Sequence, residues 1–149
     1  MQSYLGVYTR PEDGGVAIVI GAPGISKELV LERSIPETAI KVREIVAADL
    51  PQDRYFRNAW TDEFPGPQID INMEKARVIQ MENIKLSRDL ELKRLDTEQL
   101  KVITDPIAVQ AIEDEKQVLR DIPQTFDLTI ASTPEELKAL WPTEVPRKV

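Results

Sequence analysis

The segment Asn72-Met73-Glu74-Lys75-Ala76-Arg77-Val78-Ile79-Gln80-Met81-Glu82-Asn83-Ile84-Lys85-Leu86-Ser87-Arg88-Asp89-Leu90-Glu91-Leu92-Lys93-Arg94-Leu95 decides the fold. It holds neither Pro nor Gly, and most of its residues are good helix formers. Asn72 can accept backbone N–H groups as an N-cap. At about 100° per residue, Ala76, Ile79, Leu86 and Leu90 form one apolar stripe. Met73, Met81, Ile84, Leu92 and Leu95 form a second, roughly opposite, interrupted by Arg77 and Arg88. A helix with two apolar faces has to bury both, one against its own domain and one against something else. Met73, Ile79, Ile84, Leu86 and Leu90, with Trp60 upstream, are therefore the candidate partner-binding residues. Glu82 with Lys85 and Asp89 with Lys93 have the spacing of helical ion pairs, each worth about 0.2–0.5 kcal/mol.

Downstream, Asp96 is expected to reset the helix, with Gln99 three positions on in a capping-box-like spacing. Asp105-Pro106 starts another helix, Asp as N-cap and Pro at the first position. There Ile107, Ala108, Ala111, Ile112, Val118, Leu119 and Ile122 fall within an arc of roughly 140°, and Pro123 is expected to end it. Thr133-Pro134-Glu135-Glu136 starts a short third helix, running to about Trp141. The basic tail Arg147-Lys148 reads as loose.

Upstream the pattern has period 2. Tyr4-Leu5-Gly6-Val7-Tyr8 and Val16-Ala17-Ile18-Val19-Ile20 read as strands, reversed through Arg10-Pro11-Glu12-Asp13-Gly14-Gly15. Ser26-Lys27-Glu28-Leu29 begins a short helix stopped by Pro36. Thr38 to Ile45 is a third strand with Ile40, Val42 and Arg43 as its body. The aromatic stretch Arg54 to Trp60 and Gln68-Ile69-Asp70-Ile71 flank a loop and suggest a second small hairpin. The expected class is α+β: residues 1–71 a small antiparallel β unit, residues 72–149 a helical hairpin plus a short C-terminal helix.

Composition narrows the function. The chain has 149 residues, no His and no Cys. That excludes disulfides, a thiolate nucleophile, Cys-type metal sites, a Ser-His-Asp triad and a zinc helix with two His. No side chain titrates near neutrality unperturbed, so the composition leans away from an enzyme, and no cofactor is implied. Aromatic residues are 5 % against 42 % apolar overall, so the core is mainly aliphatic. Residues 1–60 carry seven basic and eight acidic side chains, and residues 61–149 twelve and eighteen. An acidic second half repels phosphate backbones, which disfavours nucleic acid as a partner. No apolar run is long enough for a membrane span. Met1-Gln2-Ser3-Tyr4 lacks the pattern of a signal peptide, so folding in a cytoplasm is expected.

Several stretches invite sharper chemistry. Gly21-Ala22-Pro23-Gly24-Ile25-Ser26-Lys27 follows a strand like a phosphate loop, but its spacing is short and Ser precedes Lys; a plain strand-to-helix turn is the simpler reading. Glu113-Asp114-Glu115 spreads around a helix and reads as a solvated face. Within it, Glu115 falls inside the apolar arc, and Arg88 lies inside a stripe of the long helix. The two are expected either to pair, partly buried, or to snorkel at the edge. Trp60 and Trp141 could each stack on a sugar or base, or cap a small core. Phe64-Pro65-Gly66-Pro67 is either a partner-binding loop or a tight hairpin connection.

The run Asp53-Arg54-Tyr55-Phe56-Arg57-Asn58-Ala59-Trp60, a short loop, and Ile69-Asp70-Ile71-Asn72-Met73-Glu74-Lys75-Ala76-Arg77 resembles a module of tailed-phage proteins. The resemblance continues through Arg88-Asp89, Leu95-Asp96, Lys116-Gln117-Val118-Leu119-Arg120-Asp121-Ile122-Pro123 and Thr133-Pro134-Glu135-Glu136-Leu137-Lys138-Ala139-Leu140-Trp141-Pro142. Similar proteins are described as tail-fibre proteins, tail-fibre assembly proteins or tail assembly chaperones. The resemblance covers about residues 50–142 and brings no catalytic residues with it. It implies a bacteriophage tail-fibre-associated structural protein: an assembly chaperone or a fibre component that binds a fibre subunit, or another tail protein, through its helical region. An oligomeric assembly follows, a trimer among the options. The expected location is the host cytoplasm during assembly, with the virion tail as a second place. The alternative is a small carbohydrate-binding module or a baseplate protein of the virion tail.

Overall fold

β1 (Leu5–Thr9) and β2 (Val16–Ile20) pair antiparallel, from Leu5 opposite Ile20 to Thr9 opposite Val16. The turn between them closes through Asp13, whose Oδ1 accepts the Gly15 N–H at 2.8 Å. Gly14 takes φ +69° there, in the left-handed region that favours glycine. β3 (Ile40–Glu44) pairs with the other edge of β1, giving the order β2-β1-β3. Its register slips between Val7 and Thr9, and Lys41 sits at φ +50°. That irregularity turns the edge strand, and leaves Ile40 and Val42 exposed.

The computed structural model describes residues 3–63 and 66–149. Met1, Gln2 and the Phe64-Pro65 part of the loop read as a hairpin connection or a partner-binding loop lie outside the described residues. Among these, the class is α+β: a small antiparallel sheet, two long helices and a short C-terminal helix.

Alternation along β1 and β2 supplies two cores. Val7 and Val16 turn one way and pack with Ile45, Trp60 and Ile69. Tyr4 and Val19 pack with Val30 of α1 (Lys27–Ser34). Ser26 caps α1 by accepting the Leu29 N–H, so the glycine-containing stretch before it is the plain strand-to-helix turn. The second hairpin is β4 (Trp60–Thr61) against β5 (Asp70–Ile71). Just past β4, Asp62 takes a two-pronged ion pair from Arg43, at 2.9 and 2.8 Å, which ties this hairpin to β3.

Two compact units divide the chain at Ala76. The boundary falls inside the first turn of α2 (Met73–Lys101) because that turn is bound to the β-rich unit. The Asn72 N–H donates to the Ala59 carbonyl at 2.8 Å, and Lys75 Nζ donates to the Asp13 carbonyl at 2.7 Å. Asn72 Oδ1 accepts the Lys75 N–H as an N-cap.

The second unit contains the rest of α2, α3 (Pro106–Thr125) and α4 (Pro134–Ala139). Asp105 and Thr133 cap α3 and α4, with Pro in the first turn of each. Three expectations need correction. α2 is not reset at Asp96, whose carboxylate pairs with Lys116 Nζ at 2.6 Å instead of capping a backbone. α3 runs through Pro123 to Thr125, because a proline near the end of a helix forfeits one backbone bond without stopping the last turn. The C-terminal tail is held, not loose: Arg147 Nη1 donates to the Lys138 carbonyl at 2.8 Å, and the Lys148 N–H donates to Ser87 Oγ at 3.1 Å.

Gln80 is fully buried on α2, and its amide donates to the carbonyls of Leu137 and Leu140, each at 2.9 Å. Those carbonyls lie at the C-terminal end of α4, where helical acceptors run out of N–H partners, although Leu137 O also accepts the Leu140 N–H at 3.2 Å. Gln80→Leu removes the donor and keeps most of the volume. We expect it to cost about 2–3 kcal/mol, read as a lower urea midpoint at unchanged slope. A loss under about 0.5 kcal/mol would show that the carbonyls find other donors.

Candidate interaction surface

The buried stripe of α2 is Ala76, Gln80, Ile84, Ser87, Glu91 and Leu95. It runs between the two apolar stripes read from the sequence, and half of it is polar. Each polar member has a partner on the chain. Gln80 caps α4, Ser87 accepts from the tail, and Glu91 takes Arg94 at 2.6 Å. That Arg94 bond holds the Glu91 carboxyl below its usual range. A wheel ranked by hydrophobicity cannot see this face, because hydrogen bonding to carbonyls and to the tail buries it.

The displaced face is left open. Leu86 is 56 % exposed and Leu90 51 %, and with Asp89, Lys93 and Val149 they line a shallow groove. Farther along, Leu100, Ile103 and Ile107 are exposed around the turn into α3. Scattered exposed apolar side chains are ordinary on a protein surface; a run along one helix is less so.

The six candidate partner residues separate. Leu86 and Leu90 share the open groove. Ile79 is half-buried on α2, and Met73 is half-buried in the turn that belongs to the β-rich unit. Ile84 and Trp60 are withdrawn from the surface: they are 0 % and 1 % exposed, so neither can touch a partner. Trp60 packs in a core with Val7, Val16, Ile45 and Ile69. Trp141 is half-buried, donates its indole N–H to the Val145 carbonyl, and has the Arg147 guanidinium 4.5 Å over its ring. Trp60 offers no face to a sugar, and Arg147 lies over one face of Trp141.

The Arg88 and Glu115 pair is also corrected. Arg88 is held by its neighbour Asp89 at 2.9 Å, which takes Asp89 away from Lys93, and Glu115 is exposed. The buried charge of α3 is the next residue, Lys116. Its ammonium meets Asp96 at 2.6 Å, Gln99 Oε1 at 3.2 Å and Glu113 at 3.5 Å. The Asp96 bond raises the Lys116 pKa. Glu82 and Lys85 pair as their spacing predicts.

Glu113 also accepts from Arg120 at 2.7 Å and from Gln99 at 3.2 Å. The Arg120 bond first, then Gln99, pulls its pKa from 4.5 to about 2. A depressed acid stabilises the folded form above the unfolded pKa and loses that contribution as pH falls through the folded one. The window here is from 4.5 down to about 2. Carboxyl NMR should place the Glu113 midpoint low in the wild type and nearer the ordinary value in Arg120→Gln. Equal midpoints would break the assignment to Arg120.

Among the described residues, no group of three or more acidic side chains is placed to hold a metal ion. None of the described helices is long and apolar enough to cross a membrane. Compared with protein-family models, characterised proteins and solved structures, the chain finds no match.

Proposed function

We propose that this chain is a bacteriophage tail-fibre-associated protein, an assembly chaperone or fibre component that works by protein contact through its helical unit. The observation that carries the proposal is the open apolar groove at Leu86 and Leu90, on a helix whose opposite side is already covered. Burying a leucine side chain is worth about 1.5–3 kcal/mol, so a partner that covers both gains appreciable affinity. The tail assignment itself comes from the resemblance of residues 50–142 to tail-fibre and assembly proteins. The absence of His and Cys fits work done by contact. Sugar binding has less support, because Trp60 is buried and the indole N–H and one ring face of Trp141 are taken up within the chain.

The test is co-expression with a tail-fibre protein from the same genome. The chain should raise the yield of soluble, trimeric fibre, and the Leu86→Lys/Leu90→Lys variant should lose that effect. A fibre that is soluble and trimeric without this chain, together with purified virions that lack it, rejects both the chaperone and the component versions.

A further inference from the structure

β2 is an edge strand, and its register against β1 fixes which of its backbone groups face outward. The Gly21 N–H donates to the Tyr4 carbonyl and the Arg10 N–H to the Gly15 carbonyl, each at 2.8 Å. Both bonds continue the β1–β2 register past its two ends. Hydrogen-bonded and non-hydrogen-bonded pairs alternate along an antiparallel ladder. The hydrogen-bonded pairs are therefore Gly6 with Val19 and Tyr8 with Ala17. Val16, Ile18 and Ile20 are left with N–H and C=O groups aimed away from β1. None of these groups finds a hydrogen bond among the described residues.

The two edges of this sheet differ. β3 carries Lys41 and Arg43, slips register against β1, and is tied to Asp62 through both side chains. Charge and irregularity of this kind keep an edge from pairing. β2 reads Val-Ala-Ile-Val-Ile, with no charge, no Pro and no slip, and its Ile20 is 71 % exposed. A strand so written is suited to take another strand.

We propose that the β2 edge pairs with the β2 edge of a second copy, antiparallel and centred on Ile18, so that one sheet runs through both chains. This register sets Val16 against the second copy's Ile20 and Ala17 against its Val19. All five residues of the strand are paired, and every outward N–H meets an outward C=O. A slip of one residue would set outward groups against inward ones. Charge favours the same arrangement. Arg33 lines a hollow with Ile20, Gly21 and Ala22. The second copy's β1–β2 turn, which carries Glu12, runs past Ile20 toward that end. Arg33 and Glu12 are exposed, and neither has an ion-pair partner among the described residues. Because the β3 edge is blunted, a two-fold pairing through β2 closes at two chains instead of growing. The proposal does not involve the Leu86 and Leu90 groove and stands apart from the tail assignment.

Sedimentation equilibrium of the wild type should give twice the mass of one chain at high micromolar concentration. Amide hydrogen exchange of the same sample, followed by NMR, reads the strand directly. The Ile18 and Ile20 amides should become protected as concentration rises, whereas Ala17 and Val19, already bonded to β1, should change little. Ile20→Lys should weaken pairing at least about tenfold and keep the wild-type circular-dichroism signal. Arg33→Glu should weaken it about fivefold, since the two-fold axis makes the ion pair twice, and Arg33→Glu/Glu12→Arg should restore it. A single-chain mass at high micromolar concentration overturns the pairing. A two-chain mass with no gain of protection at Ile18 and Ile20 overturns the β2 interface, and a mass that keeps rising beyond two chains overturns the two-fold closure. None of these outcomes bears on the fibre co-expression result, which stands or falls separately.

Discussion

Trp60→Ala should lower the stability of the β-rich unit by about 3–5 kcal/mol, the range for emptying a buried large aromatic site. Trp60 is 1 % exposed and packs with Val7, Val16, Ile45 and Ile69, so its removal opens a cavity where both hairpins meet. Trp60→Phe should recover much of that loss. The indole N–H is buried with no hydrogen-bond partner among the described residues, so phenylalanine removes an unsatisfied donor with the extra ring. Urea unfolding followed by circular dichroism checks both variants. Trp141, the other tryptophan, lies in the helical unit and gives a separate fluorescence signal. A Trp60→Ala cost under about 1 kcal/mol would deny the residue its core role.

The second large effect is a contrast between two neighbours on α2. Ile84 is fully buried and Leu86 is 56 % exposed, two residues away on the same helix. Ile84→Ala should cost about 2–5 kcal/mol, from lost transfer free energy plus the cavity left behind. Leu86→Ala should change stability by no more than about 0.5 kcal/mol. The sequence put both residues among the partner contacts, so the pair of measurements decides which face is core. Equal losses at the two positions would mean that the Leu86 face is covered within the chain.

Backbone chemistry made most of the fold legible. Asp13 and Gly14 marked the first turn, Asn72, Asp105 and Thr133 marked helix starts, and period 2 marked β1 and β2; each depends on residues within a few positions of one another. What the sequence hid depends on distant partners. Gln80 is core because it meets carbonyls 57 and 60 residues away. Asp96 fails to break α2 because Lys116 takes its carboxylate. Glu115 reads as the inward charge of α3, yet it is exposed, and the buried charge is Lys116, whose ammonium Asp96 and Gln99 of α2 hold. The candidate surface was half legible for the same reason. Two apolar stripes were visible, but hydrophobicity alone could not tell that polar residues between them would hold the buried side.

The proposed contact with a tail protein falls on the open Leu86 and Leu90 groove. Titration of purified fibre protein with the wild type and with Leu86→Lys/Leu90→Lys tests it most directly. Binding by the double variant should be at least about a hundredfold weaker, from two leucine burials lost, with the thermal midpoint nearly unchanged. Equal affinity of the two proteins for the fibre would contradict it.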